Sequence, residues 1–160
     1  MYPTDKFSWL WNYTPDLYGS SSDGLSFIPT LWGNGHTGDE DSTRLSEFKA
    51  ISNNPSYVQG FYEPDCSPPM SSEIDPYSAA SLWNELIVPH RANGAQLISP
   101  GMCKQADEDW LTPFKNQIGD GNMWDITSVH INKPDVDGAK KVLDHYAQYG
   151  KPMLITEVRT

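Results

Sequence analysis

The fold of this chain is decided by the stretch Tyr57-Val58-Gln59-Gly60-Phe61-Tyr62-Glu63-Pro64-Asp65-Cys66. Its apolar and aromatic residues are typical of a buried strand. Pro64 ends that strand because proline cannot donate a hydrogen bond to a strand ladder. Glu63 is therefore predicted at the rim of a sheet. A second glutamate, Glu157, follows a similar run, Pro152-Met153-Leu154-Ile155-Thr156, 94 positions later.

Outward from this stretch, segments with the periodicity of strands and helices alternate. The predicted order is strand, strand, helix, strand, helix, strand, helix, strand, helix, strand. Strands separated by helices predict a parallel sheet, and the unit length of roughly 30 residues fits βαβ repeats. The predicted strands cover residues 7–12, 25–32, 57–63, 95–99, 124–131 and 152–158, and the predicted helices cover residues 44–52, 76–90, 107–118 and 136–149. Ser42 and Thr43 are predicted to cap the first helix, and Gly94 to stop the second.

The composition excludes several classes of protein. The 160 residues predict one domain, residues 1–160, and the formal net charge of -10 argues against nucleic-acid binding, which needs clustered Lys and Arg. No run of about 18 apolar residues predicts a membrane span, and the first residues, Met1 to Lys6, lack the features of a signal peptide. Six Trp and eight Tyr are many for this length. They fit either core packing or stacking on sugar rings.

The candidate functional residues lie where the predicted strands end. Glu63, His130 and Glu157 all lie at or near the carboxyl ends of strands, where the active groups of α/β barrels are found. A lone strand-end glutamate is more often structural, whereas two in a βα-repeating chain favour a site. His130 is either a hydrogen-bonding partner of a site carboxylate or a packed histidine.

Neither a metal nor an organic cofactor is expected. The loop at Gly33 lacks the glycine spacing of a dinucleotide or phosphate site. His36 and the acidic residues that follow it do not have the spacing of a zinc site.

The two cysteines, Cys66 and Cys103, each follow a predicted strand. They allow one disulfide, and spacing alone does not distinguish it from two free thiols.

Five motifs, taken in order, resemble glycoside hydrolase family 128, the Asl1-like glycosyl hydrolase catalytic core of fungal and plant β-1,3-glucanases. They span nearly the whole chain. The motifs are Trp9-Leu10-Trp11-Asn12-Tyr13, Phe27-Ile28-Pro29-Thr30-Leu31-Trp32-Gly33, Gly60-Phe61-Tyr62-Glu63-Pro64-Asp65, Ser128-Val129-His130 and Gly150-Lys151-Pro152-Met153-Leu154-Ile155-Thr156-Glu157.

The resemblance implies a (β/α)8 TIM barrel of glycoside hydrolase clan A and retaining hydrolysis of β-1,3-glucan. In that clan the acid/base follows the fourth strand and the nucleophile follows the seventh, which match Glu63 and Glu157. By this register about strands 2–7 of the barrel are present, and the chain is expected to be a truncated member. An extracellular or cell-wall location, a polysaccharide partner and a monomeric state are expected from the family.

The same resemblance implies further site residues. Trp11, Asn12 and Trp32 are expected at the rim that binds sugar, and His130 beside the nucleophile. Tyr62 stands where the family usually has an Asn that binds the sugar 2-hydroxyl. Ile131-Asn132-Lys133 also departs from the family pattern. Cys66 and Cys103 would follow neighbouring strands of the barrel, which favours a disulfide between them.

Two alternatives remain open from the sequence. One is a fragment that is inactive or binds glucan weakly, because a barrel lacking two strands leaves open sheet edges. The other is a different clan A β-glycosidase, such as a mannanase or a β-1,4-glucanase.

Overall fold

The computed structural model of the chain describes residues 8–17 and 24–159. Strands and α-helices alternate in this part of the chain in the predicted order. The strands are β1 (Trp9–Trp11), β2 (Ser26–Ile28), β3 (Tyr57–Gln59), β4 (Gln96–Ile98), β5 (Thr127–Asn132) and β6 (Met153–Arg159). The α-helices are α1 (Gly38–Lys49), α2 (Pro76–Leu82), α3 (Leu111–Ile118) and α4 (Val136–Ala147). Phe7, the predicted start of the first strand, lies outside the described residues.

The strands are parallel and neighbour one another in chain order. Ladders join β1 to β2, β3 to β4, and β5 to β6. Single parallel bridges connect these pairs, from Thr30 to Gln59 and from Ile98 to Ile126. The predicted parallel α/β fold is thus confirmed, and the eight-stranded barrel remains a prediction.

Most strands are shorter than predicted, and proline is one cause. β2 ends at Ile28 because Pro29 has no N–H for the ladder, although its carbonyl still accepts from the Gln59 N–H at 3.0 Å. β4 likewise ends at Ile98, two residues before Pro100. The short ladders leave irregular backbone at the carboxyl ends of these strands, which is where the candidate residues lie.

The predicted start of the first helix is wrong. Ser42 and Thr43 were expected to cap a helix starting near Arg44, but α1 already begins at Gly38, with Thr37 as its N-cap. Asp39, Glu40 and Asp41 fill its first turn, where carboxylates stabilise the positive end of the helix dipole.

The second and third helices also differ from their predicted bounds. The segment predicted as one helix over residues 76–90 is α2 followed by a wide π turn, Trp83–Ile87, and a 3-10 turn, Val88–Asn93, that contains Pro89. Gly94 ends it with φ of 92°, as predicted. α3 starts at Leu111 with Trp110 as its N-cap, and the otherwise free Leu111 N–H donates to Glu108 Oε2 at 2.7 Å. No helix in the described ranges is long and apolar enough to cross a membrane.

The core is an aromatic cluster between the helices and the sheet. The Phe114 ring, on α3, stacks on Trp110 at 5.0 Å and meets the edge of Trp83 at 5.6 Å. Phe61 and Trp124 also contact it, at 6.4 and 6.2 Å between ring centroids. Trp83, Trp124 and Phe61 are fully buried, so this cluster holds the backbone just before Tyr62 and Glu63 in place.

Candidate active site

Glu63 lies four residues beyond β3 rather than at its end, which corrects the predicted position. The backbone of this segment is held between its neighbours: the Tyr62 N–H donates to the Trp32 carbonyl at 2.9 Å, and the Glu63 N–H donates to the Gly101 carbonyl at 2.8 Å. Glu63 has φ of 47°. Such left-handed conformations are costly for a non-glycine residue and cluster at functional sites.

The Glu63 carboxylate is buried and bonded from inside the protein. His130 Nδ1 lies 3.0 Å from Glu63 Oε1, and Ser71 Oγ donates to Oε2 at 2.8 Å. Glu63 is 8% exposed and His130 is 0% exposed. Gly101 makes room for the imidazole, because a Cβ there would lie 2.4 Å from His130 Nε2.

These contacts set the charge of Glu63. Burial alone raises the pKa of this carboxyl group, but the hydrogen bonds from His130 and Ser71 and the electrostatic influence of His130 and Arg159 outweigh burial. The pKa of Glu63 is therefore lowered below its ordinary value, and the group is a carboxylate near neutral pH.

Glu157 lies inside β6, opposite His130 of β5 and next to a register shift of that ladder. Its Oε2 accepts from the Tyr62 hydroxyl at 2.9 Å, with a longer contact from the Tyr13 hydroxyl at 3.5 Å. Its Oε1 accepts from Asn132 Nδ2 at 3.3 Å and pairs with Arg159 Nε at 3.0 Å. Both oxygens of Glu157 are thus engaged by donors of the protein.

The two carboxylates lie close together, since His130 bonds to Glu63 through its side chain and pairs with Glu157 in the β5–β6 ladder. One oxygen or nitrogen atom from each of Glu63, His130 and Glu157 lies within 4.8 Å of the others. Three such groups have the composition of a metal site; Arg159 pairs with Glu157 and His130 Nδ1 bonds with Glu63, whereas the buried His130 Nε2 has no hydrogen-bond partner among the described residues. Two carboxylates at this spacing also suit glycoside hydrolysis. That the site takes no metal remains a prediction.

Tyr62 stands at the centre of an aromatic group above Glu157. Its ring stacks against Trp32 at 6.1 Å, meets the edge of Tyr13 at 4.9 Å, and lies 5.5 Å from the His130 ring. Burial and the neighbouring carboxylates Glu63 and Glu157 raise the pKa of Tyr62 far above its ordinary value. The phenol consequently stays protonated and donates to Glu157.

An open cleft of about 210 Å³ lies on the outer side of this group. It combines three aromatic rings with two guanidiniums, and the Arg44 guanidinium sits 5.1 Å from the centre of the Trp32 ring while also pairing with Glu40. Of the described residues, those lining the cleft are Tyr13, Trp32, Glu40, Arg44, Tyr62, Pro69, Met70 and Arg159, and neither Glu63 nor Glu157 is among them.

The structure brings together most of the predicted site residues. Trp32, Tyr62, His130, Glu63 and Glu157 form one connected group. Their roles in binding or catalysis stay predictions.

Two predicted site residues lie at the margin of this group. The Trp11 ring lies 6.5 Å from Tyr62, so it borders the group without touching a carboxylate. The Asn12 side chain instead bonds locally, since its Oδ1 accepts from the N–H and the hydroxyl of Thr14.

The predicted disulfide between Cys66 and Cys103 is present. Beside it, Asp65 accepts from the backbone N–H groups of Cys103 and Lys104, both at 2.9 Å. Asp65 therefore holds the loop after Glu63, and it is not among the residues that line the cleft.

Four site residues were not predicted from the sequence: Tyr13, Ser71, Asn132 and Arg159. Arg159 had a readable signal, because residues two apart on a strand point to the same face and Arg159 is two residues from Glu157. Ser71 had none, since it reaches Glu63 only through the fold of the loop that follows Pro64.

Comparison with known proteins places this geometry in a family. The sequence model of the glycosyl hydrolase catalytic core family matches residues 2–160. Comparison with curated protein sequences finds no match.

Solved structures of glycoside hydrolase family 128 are similar to the chain. A subgroup VII oligosaccharide-binding protein from Trichoderma gamsii is 43% identical with a TM-score of 0.89, and the match covers 97% of this chain and 61% of that one. A subgroup VII oligosaccharide-binding protein from Cryptococcus neoformans is 46% identical with a TM-score of 0.88, covering 94% and 59%. A subgroup V exo-β-1,3-glucanase from Cryptococcus neoformans, 24% identical with a TM-score of 0.77 over 97% and 61%, shares the fold.

The chain thus spans about three fifths of the length of these solved proteins. The family match covers nearly all of its own residues and includes both glutamates, His130 and the aromatic group around Tyr62. The chain belongs to the glycosyl hydrolase catalytic core family, as a member of glycoside hydrolase family 128.

Proposed function

We propose that this chain binds β-1,3-linked gluco-oligosaccharides in the aromatic cleft without cleaving them. One observation carries this proposal: the cleft and the carboxylate pair are separated. Tyr13, Tyr62 and Arg159 each line the cleft and also contact Glu157. A sugar in the cleft meets this layer before it meets either carboxylate.

The charge of Glu63 supports binding over hydrolysis. A retaining glycosidase needs one carboxyl group that stays protonated near neutral pH, so that it can protonate the leaving oxygen. The pKa of Glu63 is instead lowered, chiefly because the bonds from His130 and Ser71 outweigh its burial. A carboxylate in that state accepts hydrogen bonds but has no proton to give.

The chemistry of the cleft and the relatives support the ligand class. Aromatic faces pack against the C–H faces of sugars, while arginine side chains donate to their hydroxyl groups. Two relatives at 43% and 46% identity are oligosaccharide-binding proteins, and a more distant one is an exo-β-1,3-glucanase. Glucose units in β-1,3 linkage are therefore the proposed ligand.

Calorimetric titration of the full chain with laminaripentaose tests this function. Cellopentaose, which has β-1,4 links, serves as the competing ligand. We expect laminaripentaose to bind and to be recovered intact from the cell after titration. A chain that binds neither oligosaccharide would exclude the proposal.

Substitution at Trp32 locates the binding site. Trp32→Ala removes an aromatic side chain that lines the cleft, and we expect affinity to fall about two- to tenfold, since such contacts contribute about 0.5–1.5 kcal/mol. Trp9→Ala, which removes an exposed indole outside the cleft, should leave the affinity unchanged. Because Trp32 is buried, Trp32→Phe provides a milder variant with a smaller loss.

Retaining hydrolysis is the second candidate, favoured because one carboxylate oxygen of Glu63 and one of Glu157 lie within 4.8 Å of each other. The two carboxyl groups of retaining glycosidases lie about 5–5.5 Å apart. In this reaction a Glu157 oxygen bonds to the anomeric carbon as the glycosidic bond breaks, and Glu63 protonates the leaving oxygen. Water then gives a proton to Glu63 and displaces Glu157.

Product release from laminarin decides between the two candidates. Hydrolysis predicts shortened products that disappear in both Glu63→Gln and Glu157→Gln but persist in Glu85→Gln, which changes an exposed glutamate on the outer surface. Binding alone predicts no products from any of the four proteins. A mannan and a β-1,4-glucan in the same panel test the other clan A specificities.

We further propose the (β/α)8 barrel of clan A as the architecture. Six parallel strands in chain order support it, as does the Tyr13 hydroxyl after β1 reaching Glu157 of β6.

An extracellular or cell-wall location is supported by the disulfide, because disulfides persist in oxidising compartments. A monomer is proposed, and light scattering of the purified chain tests it.

A further inference from the structure

Tyr62 is the most deeply placed side chain that both lines the cleft and contacts Glu157. It is 5% exposed, whereas Tyr13 is 37% exposed and the Arg159 side chain 60%. Tyr13 and Arg159 can swing toward solvent from such positions. Tyr62 cannot, because its neighbours enclose all but the small part of it that lines the cleft.

The backbone of Tyr62 is fixed on three sides. Its N–H donates to the Trp32 carbonyl at 2.9 Å, its carbonyl accepts from the Ser72 N–H at 3.1 Å, and it forms a parallel bridge with Gly101. The ring is held as firmly, stacked on Trp32 and edge-on to Tyr13. A ring held in this way acts as a wall of the cleft.

The hydroxyl of Tyr62 anchors this wall to the carboxylate behind it. It donates to Glu157 Oε2 at 2.9 Å. Tyr13 makes a longer contact with the same oxygen at 3.5 Å, and Asn132 and Arg159 engage Oε1. The phenol of Tyr62 thus lies between the cleft, which it lines, and Glu157 Oε2.

We propose that Tyr62 is the specificity-determining residue that bars a bound sugar ring from Glu157, so that an oligosaccharide is held against the outer face of Tyr62. This inference rests on the proposed binding function and adds the residue that selects binding over attack by Glu157. The ring provides the barrier, and the hydroxyl keeps the ring in place.

A reactive sugar tests this barrier. The probe is the epoxypropyl β-glycoside of laminaritriose. A carboxylate can open its epoxide ring. In that step a Glu157 oxygen bonds to an epoxide carbon and the bond from that carbon to the epoxide oxygen breaks. The freed oxygen then takes a proton from water. The product is an ester on Glu157, which mass spectrometry of the tryptic peptides locates.

We expect the natural chain to remain unlabelled and Tyr62→Ala to be esterified at Glu157. The rate of labelling of Tyr62→Ala should exceed any rate in the natural chain by at least about tenfold. Tyr62→Ala and Tyr62→Val both remove the ring and are the opening variants. Tyr62→Val, which retains an apolar side chain, is the second of them and is used if Tyr62→Ala does not fold. Tyr62→Phe keeps the ring and should be labelled no faster than about a tenth of the rate of the opening variant. Tyr77→Ala, which removes an exposed tyrosine of α2, is the matched control and should remain unlabelled.

The outcomes separate this inference from the proposed function. Folded opening variants that stay unlabelled overturn the barrier, as does labelling of the natural chain or labelling of Tyr62→Phe as fast as Tyr62→Ala. The titration with laminaripentaose is read independently on the natural chain. If the natural chain binds laminaripentaose and the barrier test fails, only the role of Tyr62 is wrong.

Discussion

The Glu63 side of the site is built from the interior of the protein, whereas the Glu157 side is built from the cleft. Glu63 receives its hydrogen bonds from the buried His130 and from Ser71, on the loop behind it. Glu157 receives its bonds from Tyr62 and Arg159, which also line the cleft. Glu63 is thus held by residues of the interior, whereas Glu157 is held by residues that lie between it and the cleft.

On the proposed binding function, this difference gives each glutamate a structural role. The interior bonds make Glu63 a structural anion that ties β5 to the backbone after β3. Glu157 accepts the hydrogen bond that holds the Tyr62 ring where it lines the cleft. Neither role needs a proton to move.

The largest expected effect concerns the covalent tie on the Glu63 side. Cys66→Ser combined with Cys103→Ser opens a loop of 37 residues, and we expect a loss of about 3–4 kcal/mol in the free energy of unfolding. Urea unfolding measures it. Reducing the natural chain with dithiothreitol should produce the same loss, and equal midpoints for the oxidised and reduced chain would contradict the prediction.

Removal of an interior donor should cost nearly as much. His130→Ala leaves Glu63 buried without its imidazole partner and creates a cavity, so we expect a loss of about 3 kcal/mol. The matched change on the other side is Asn132→Ala, which removes a half-buried donor of Glu157, and should cost less than about 1 kcal/mol. Similar losses in urea unfolding for both variants would remove the contrast between the two sides.

Acid should act through Glu63 with a smaller effect. Because its pKa is lowered in the folded protein, Glu63 contributes stability above its ordinary value of about 4.5, and this stability is lost as pH falls through the folded value. We expect the free energy of unfolding to decline below about pH 4.5 and to decline less steeply in Glu63→Gln. Parallel pH profiles for the two proteins would show that Glu63 is not responsible.

The smallest expected effect concerns the exposed ion pair on the cleft side. Arg159→Gln removes the charge paired with Glu157, and because the Arg159 side chain is 60% exposed, we expect a change below about 1 kcal/mol. Added salt should weaken the pair in the natural chain and leave the variant unaffected. A loss as large as that of His130→Ala would mean that the Glu157 side is also structural.

The order of the elements and the meeting of the two glutamates could be predicted from the sequence. Alternating periodicities gave six parallel strands, and carboxyl ends of parallel strands meet at one edge. The exact place of Glu63 could not be predicted, because it depends on Gly101 admitting His130 and on Ser71 returning from a distant part of the loop. Those contacts are tertiary and have no local pattern.

The helix bounds and the cover of Glu157 show the same limit. α1 begins at Gly38 because three carboxylates suit its first turn, a signal that was present but outweighed by Ser42 and Thr43. Tyr62 was identified as the unusual residue. Its packing against Trp32 and Tyr13 could not be predicted, because those rings converge on it only in the folded chain.

A crystal structure of the chain with laminaripentaose tests the central claim most directly, namely that sugar lies outside the layer that covers Glu157. We predict glucose units packed against Trp32 and the outer face of Tyr62, with the bond from the Tyr62 hydroxyl to Glu157 intact. A glucose ring seated between Glu63 and Glu157, with Tyr62 displaced, would contradict this account.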